Sequence, residues 1–363
     1  MFNSNKSKIY KIAVLPGDGI GPEIMAEAIK VLKAIESKRG LTFSYHYGLV
    51  GGEAWDKYQN HFPEVTAKIC EESDAILFGS VGGPINQQDT SKWRDCEKNS
   101  ILAIRQSLGL TFNLRPVINL LDRKKNIDLI CLRELSEDVY FGKHETLVIN
   151  GEKFARDEMF YNESTIQAIA EKAFQIAIER RKKVISVDKA NVLDCSKLWR
   201  EVVTKVSQRY PGCELQHMLV DNCAMQLIKN PEVFDVVLMP NLFGDILSDL
   251  ASLLGGSIGM LPSASFNHQG FGLYEPAGGS APDIAGLNKA NPIGQILSAG
   301  LMLKHSFGMT HEYHMIIDAI EKTLAQGYLT PDICRGLDSC STAAMGNAIV
   351  KCLYEGDHTE IYG

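Results

Sequence analysis

Two aspartates carry the clearest chemical signal in this sequence. Asp245 and Asp249 stand four residues apart in FDVVLMPNLFGDILSDLASLLGGSIG, which runs from Phe234 to Gly259. The stretch opens on an apolar run, Val236 to Met239, of the kind a buried parallel strand shows. Pro240 and Asn241 break the run, and a helical pattern follows through Phe243, Ile246, Leu247, Leu250, Leu253 and Leu254. A four-residue spacing puts both carboxylates on one face of that helix. Like charges stacked this way repel, and a divalent cation between them turns the cost into a gain. The plain alternative is a solvated acidic face. What adds weight to a cation is position, because open α/β sheets take up ligands just past strand ends.

Other residue types extend the chemistry. Arg105 falls on a helix, Arg115 just before Pro116, and Arg133 at the end of a strand. Each alone reads as a surface ion pair. Together they could form the clamp a dicarboxylate needs, since guanidinium forks match carboxylates in bidentate fashion. Tyr140 and Lys189 are the candidate proton handlers, against the simpler readings of a packed tyrosine and a salt-bridged lysine. Lys189 lies in VDKANV, just past an apolar run. GDGIG, from Gly17 to Gly21, follows a strand and opens a helix as a dinucleotide fingerprint does. Yet Pro22 replaces the third glycine, and the next strand, LTFSYHYG, does not end in the acidic residue that would hold a ribose. A Rossmann site is not expected there; the glycines are read as permitting a tight turn near a ligand.

The elements that must position these residues alternate along the chain. Strand signals cover Ile9 to Leu15, Thr42 to Tyr47, Ala75 to Phe78, Leu129 to Leu132 and Val184 to Val187. Helical periodicity covers Ile24 to Ile35, opened by Pro22, then Ile101 to Leu108, and Ile166 to Ile178. A turn-rich segment passes through Gly142 and Gly151. A Gly/Ala/Pro-rich loop lies near Ala277 to Gly286, and helices begin at Pro292, His311 and Thr342. The pattern is that of an α/β protein with no internal repeat.

Composition narrows the partners. A chain of 363 residues suggests about two domains. An apolar share of 45% with 22% charged residues fits a globular protein with a substantial core. A net charge of −7 argues against nucleic acid, which needs a basic face. No apolar run is long enough to cross a membrane, and the start, MFNSNKSKIYKI, lacks the apolar core of a signal peptide. Nine cysteines, with no C-x-x-C pair, fit reduced thiols in a cytoplasmic protein.

Longer motifs carry a family resemblance: LPGDGIGPE, GSVGGP, FNLRP, YFG, VDKANVL, NLFGDILSD, GMLPSAS and GSAPDIAG. Across nearly its whole length the chain resembles the β-decarboxylating dehydrogenase family of isopropylmalate, isocitrate, homoisocitrate and D-malate/tartrate enzymes. The resemblance implies a two-domain, non-Rossmann α/β fold whose first domain is discontinuous. Residues 1–109 with 257–363 would form that cofactor-binding domain, and 110–256 a second domain with the dimer contact and an arm between Tyr140 and Tyr161.

It also implies roles for individual residues. Asp245 and Asp249 would bind Mg2+ or Mn2+ together with Asp221 of a second copy, which also contributes Lys189, so that a homodimer shares its active sites. Lys189, tuned by Asp221, would be the base for a C2 hydroxyl, and Tyr140 the acid that completes the product. The cation would polarise the C2 oxygen and stabilise the enolate left by loss of CO2. Arg105, Arg115 and Arg133 would hold the malate carboxylates. Isocitrate enzymes place polar residues where the third substituent binds, whereas this chain presents Ile101 and Leu102, with Val192 from the partner. An apolar pocket suits an isopropyl group and leaves a third carboxylate unpaired. The cofactor would lie against Gly279, Ser280, Ala281, Pro282, Asp283, Ile284, Asn291 and Asn191. Asp283 could accept hydrogen bonds from both ribose hydroxyls and repel a 2′-phosphate, which favours NAD; the bland alternative is a turn aspartate after Pro282.

The implied reaction is oxidative decarboxylation of (2R,3S)-3-isopropylmalate to 4-methyl-2-oxopentanoate, CO2 and NADH, a step of leucine biosynthesis. The alternatives are the same chemistry on D-malate or tartrate, and a non-catalytic binding relative. The latter predicts loss of a proton handler or metal ligand, whereas Tyr140, Lys189, Asp221, Asp245 and Asp249 are all present. The chain departs from the isopropylmalate pattern at Ser136, Glu137 and Asp138, where Thr-Gly-Gly is usual, and at Glu158, which replaces a threonine common in the arm.

Overall fold

A computed structural model describes residues 9–355, so part of the start of the chain, where no leader is expected, lies outside the described residues. In chain order the strands are β1 (Ile9–Gly17), β2 (Thr42–Tyr47), β3 (Ala75–Ser80), β4 (Phe112–Ile118), β5 (Asp128–Glu134), β6 (His144–Ile149), β7 (Glu152–Asp157), β8 (Lys183–Asp188), β9 (Glu214–Leu219), β10 (Val236–Met239), β11 (Pro262–Phe266) and β12 (Gly272–Pro276). The helices are α1 (Gly21–Arg39), α2 (Gly51–Tyr58), α3 (Glu64–Glu71), α4 (Ala103–Ser107), α5 (Glu163–Ile178), α6 (Asp194–Ser207), α7 (Val220–Lys229), α8 (Asn241–Ser252), α9 (Ile293–His305), α10 (Thr310–Ala325) and α11 (Thr342–Glu355). Among the described residues no helix is long and apolar enough to cross a membrane.

The chain divides into two compact units, Met1–Gly109 with Gly256–Gly363, and Leu110–Gly255. In the first, the strands run in the order β2-β1-β3-β12-β11. All neighbours are parallel except β11 and β12, which form an antiparallel pair. The apolar centres of β1 and β3 are fully buried, as parallel strands covered on both faces require. Helix α9 is buried along nearly its whole length.

GDGIG makes the first turn of this unit and has a structural task. Gly17 and Gly19 take left-handed φ angles of 70° and 59°. A Cβ on Gly17 would collide with the Ser80 carbonyl, and one on Gly19 with the Ser280 carbonyl. Between them the buried Asp18 carboxylate accepts hydrogen bonds from the backbone N–H groups of Gly52, Glu53 and Gly82 at 2.9, 3.0 and 3.1 Å. The motif thus pins the first turn of α2 and the loop after β3.

In the second unit the order is β4-β5-β10-β8-β9, again parallel except for the antiparallel pair β4/β5. Strand β10 occupies Val236–Met239, the apolar run read from sequence, and α8 follows directly. Pro116 stands inside β4, opposite Ile130. Because proline removes a ladder donor, the residues around it carry little strand signal, and β4 was not expected.

The segment read as turn-rich, from Gly142 to Gly151, is instead part of a two-stranded hairpin, β6 paired with β7. Asn150 and Gly151 have φ of 52° and 85°, the backbone a two-residue hairpin loop needs. Every residue of β7 is exposed, so the buried/exposed alternation that marks a strand is missing from it.

Candidate active site

The second unit brings five of the expected residues together. In the antiparallel register Arg115 stands opposite Cys131 and Arg133 opposite Asn113. The two arginines are therefore diagonal neighbours on one face. Strand β10 runs beside β5, Pro240 turns the chain, and α8 carries Asp245 and Asp249 back over the arginines. Gly244 allows this approach, since a Cβ there would press to 2.7 Å from the Arg133 side chain.

Each arginine is buried and each carboxylate half-exposed. Arg115 Nη1 donates to Asp249 Oδ1 at 2.8 Å and to Ser248 Oγ at 2.7 Å, while its Nε donates to Asn113 Oδ1 at 3.0 Å. Arg133 Nη1 donates to Asp245 Oδ1 in a close ion pair, and its Nε and Nη2 donate to Asn241 Oδ1 at 2.9 and 2.7 Å. The Tyr140 hydroxyl donates to Asp245 Oδ2 at 2.6 Å, and the Arg133 guanidinium lies 5.3 Å from the Tyr140 ring centroid. The repulsion expected between the two aspartates is thus offset here by the arginines.

Electrostatics follow from this packing. Burial pushes the Tyr140 phenol up to about 12, and its hydrogen bond to Asp245 pushes the same way, against the pull of Arg133. Tyr140 therefore keeps its proton throughout the neutral range and is available as a donor. Burial raises the Asp249 carboxyl above the ordinary range; Arg115 opposes that and the Asp245 charge reinforces it.

Lys189 and Asp221 form a second pair in this unit. Lys189 directly follows β8, with its backbone N–H donating to Ser196 Oγ at 3.0 Å. Its neighbour Asp188 is fully buried and held by Arg200 through two hydrogen bonds of 2.8 Å, which fixes the strand end. Lys189 Nζ donates to Asp221 Oδ1 at 2.9 Å, from the first turn of α7. The hydrogen bond from Lys189 holds the exposed Asp221 carboxyl below the usual range. Among the described residues no group of three His, Cys, Asp or Glu side chains gathers as a metal site, so Asp221 does not join Asp245 and Asp249 within one chain. Asn191 and Val192 are exposed in the turn after Lys189.

The first unit holds the other candidates. A π-helical turn, Lys98–Leu102, carries buried Ile101 and half-buried Leu102 into α4, which carries Arg105. Arg105 Nη2 donates to Glu275 Oε1 at 2.9 Å, while its Nε is buried without a hydrogen-bond partner among the described residues. In the loop before α9, Gly279 is exposed, Ser280 is buried with its carbonyl accepting from Ile20 N–H at 2.8 Å, and Ala281 has φ of 38°. Pro282 and Ile284 are half-buried and Asp283 is exposed. Asn291 is buried and engaged: its amide donates to Asp332 Oδ2 at 3.1 Å and accepts from Ile293 N–H at 3.0 Å.

These donors fit the groups the resemblance implies. Two adjacent carboxylates are hard oxygen donors suited to Mg2+ or Mn2+. Burial disfavours the charge on Asp249, and a divalent ion would favour it. Gly278 and Gly279 border open space, and Asp283 presents its carboxylate to solvent, as a bound ribose would need. Absent from the expected set are Asp138, Tyr161 and Asn241, which tie the Tyr140 turn to α8. Asn241 stands one residue past a predicted strand, a readable signal; the backbone angle of Asp138 and the burial of Tyr161 leave none.

Buried arginines facing a carboxylate pair and a protonated phenol are chemically suited to a small polycarboxylate and a divalent ion. The family model described as isocitrate/isopropylmalate dehydrogenase matches residues 11–349, and the chain belongs to that family. It is 50% identical to a 3-isopropylmalate dehydrogenase of Thermotoga maritima, over 95% of this chain and 99% of that one. It is 47% identical to one of Chromobacterium violaceum, over 94% of this chain and all of the other. The crystal structure of isocitrate dehydrogenase from Methylococcus capsulatus superposes with a TM-score of 0.85 at 32% identity, covering 95% of this chain and 99% of that chain.

Proposed function

We propose that this chain catalyses NAD-dependent oxidative decarboxylation of (2R,3S)-3-isopropylmalate in leucine biosynthesis, as a cytoplasmic homodimer with shared sites. The observation that carries this reading is the cluster of Arg115, Arg133, Tyr140, Asp245 and Asp249, in a chain half identical to relatives named for that reaction.

Arg105, Arg115 and Arg133 hold the malate carboxylates and orient C2 and C3. The buried, unpaired Arg105 Nε is a donor left over for one of them. Lys189 accepts the proton of the C2 hydroxyl, directly or through a water, and Asp221 steers its amine. Residues 279–284, with Asp283 on the ribose, would hold NAD, which when bound would supply the acceptor for the C2 hydride. Asp245 and Asp249, with Asp221 of the second copy, hold Mg2+ or Mn2+, which supplies Lewis acidity and charge stabilisation when bound. Once the C3 carboxylate has left as CO2, Tyr140 gives its proton to C3 and releases 4-methyl-2-oxopentanoate. Ile101 and Leu102, with Val192 of the second copy, line an apolar place for the isopropyl group.

The dimer is supported by apolar side chains left exposed on the second unit. Met225 and Ile228 on α7, Ile246 on α8, and Val148 and Phe154 on the hairpin all face solvent in the single chain. The function is tested by NADH formation with purified protein, Mg2+ and each candidate acid. Isopropylmalate should show the highest kcat/KM. A higher value for D-malate or isocitrate would overturn the substrate assignment and leave the reaction type standing.

A further inference from the structure

The turn that carries Tyr140 is held in an unusual way. Asp138 opens that turn, Asp138–Tyr140, with φ of 77°, a left-handed backbone that a side chain adopts only when its surroundings demand it. It is also almost wholly buried, at 1% exposure. A buried carboxylate must be matched by donors, and three reach this one. Tyr161 donates its hydroxyl to Asp138 Oδ2 at 3.0 Å, Leu242 donates its backbone N–H to the same oxygen at 3.1 Å, and Val139 N–H donates to Oδ1 at 2.7 Å.

Two of these contacts lead to one place. Leu242 lies in the first turn of α8, whose N-cap residue, Pro240, supplies no side-chain cap. Asn241, the first residue of that helix, donates its N–H to the Tyr161 oxygen at 2.8 Å and its side-chain amide to the Glu137 carbonyl at 3.0 Å. The N–H groups of Asn241 and Leu242 at the start of α8 are therefore satisfied by Tyr161 and by the Tyr140 turn, not by the helix's own sequence. Four residues further along, Asp245 accepts the Tyr140 hydroxyl.

We propose that Asp138 is a positioning residue: its carboxylate, with the Tyr161 hydroxyl, locks the turn bearing Tyr140 to the helix bearing Asp245, so that the phenol is held in register for proton transfer. Asp138 touches neither substrate nor reacting atoms and acts through Tyr140. A glycine would adopt the same backbone freely but would take away the acceptor of Leu242 N–H and leave the Tyr161 hydroxyl only its longer contact, 3.4 Å, to Glu134 Oε2. An asparagine tolerates the left-handed backbone and keeps an oxygen where both donors need one.

The inference rests on Tyr140 as the proton donor, and the test separates the two. Kinetics are measured on the dimeric enzyme with isopropylmalate, Mg2+ and NAD for Asp138→Gly, Asp138→Asn, Tyr140→Phe and the double variant Asp138→Gly/Tyr140→Phe. Asp138→Gly should lower kcat at least about tenfold while KM stays within about threefold, and Asp138→Asn should recover most of the loss. In the Tyr140→Phe background, Asp138→Gly should add less than about twofold, because the group it positions is gone. A merely structural residue would cost the same in both backgrounds, and that result, or an unchanged kcat, would overturn the positioning role. A Tyr140→Phe enzyme with normal kcat would instead remove the donor assignment, and the positioning role with it. Should Asp138→Gly not fold, Tyr161→Phe keeps the carboxylate and its backbone and enters the same cycle with the same expectations.

Discussion

Arg115 Nη1 lies 2.8 Å from Asp249 Oδ1, so a residue expected to hold substrate and one expected to hold metal neutralise each other within a single chain. Arg133 and Asp245 repeat the arrangement one helical turn earlier. A dianionic substrate arriving with a divalent cation offers each partner a replacement of the right sign. On the proposed function the carboxylates would pass to the arginines and the cation to the aspartates, with little net charge left unpaired. Asp249→Asn should therefore raise the Mg2+ concentration for half-maximal activity at least about tenfold, since one charged ligand is lost. Chelator treatment of the unsubstituted enzyme should abolish turnover, with recovery on adding Mg2+ or Mn2+. Magnesium titration of NADH formation checks both, and an Asp249→Asn enzyme with normal metal dependence would sink the ligand assignment.

Lys189 stands at a strand end fixed by Asp188 and Arg200, and its side chain bonds to Asp221. Lys189→Ala should lower kcat about a thousandfold by removing the base. The ion pair lost joins a half-buried lysine to an exposed aspartate, so folding stability should change little. Steady-state kinetics beside thermal unfolding gives the comparison. A drop in kcat of only a few fold would take Lys189 out of the base role.

Sharing of sites between two copies, as proposed, predicts an outcome that folding defects cannot mimic. Lys189→Ala and Asp245→Asn homodimers should each be inactive. A heterodimer of the two pairs intact Lys189 from one copy with intact Asp245 from the other, in one of its two sites. Denaturing and refolding an equal mixture should then restore about a quarter of wild-type activity, since half the dimers are mixed and each has one good site. No recovery, with heterodimers demonstrated by tagged copies, would mean that each chain builds its site alone.

Glu134, at the end of β5, is fully buried, and burial pushes its carboxyl up from 4.5 to about 7 against hydrogen bonds from Ser136 and Glu137. Between about pH 4.5 and 7 the folded chain thus holds a proton that the unfolded chain has released, so stability falls as pH rises through that window and levels off above it. A shift of this size corresponds to about 3 kcal/mol between the two limits. Urea unfolding at pH 5 and pH 8 should show this decline, and Glu134→Gln should flatten it. An unchanged slope in the variant would exclude Glu134 as its source.

Much of the positioning was legible in the chain itself. Val236–Met239 as a buried strand and α8 as the carrier of Asp245 and Asp249 follow from apolar runs and helical spacing, which act through neighbours close in sequence. Strand β4 and the β6/β7 hairpin were not legible. Pro116 lacks the ladder donor that marks a strand, and β7 buries no face to show alternation.

The chemistry divides along the same line. Residue types and spacing, with the family motifs, singled out which aspartates, arginines, tyrosine and lysine are candidates for the site. Only the tertiary structure decided what partners they keep. Arg115 meets Asp249 across 134 positions, and Tyr140 meets Asp245 across 105. It likewise decided that Asp138 is a buried acceptor at φ of 77° rather than a surface acid. Local spacing reports what an element can present to one side. Which charge is neutralised, which carboxyl is desolvated and which backbone angle is tolerated depend on groups that meet only after distant strands have paired.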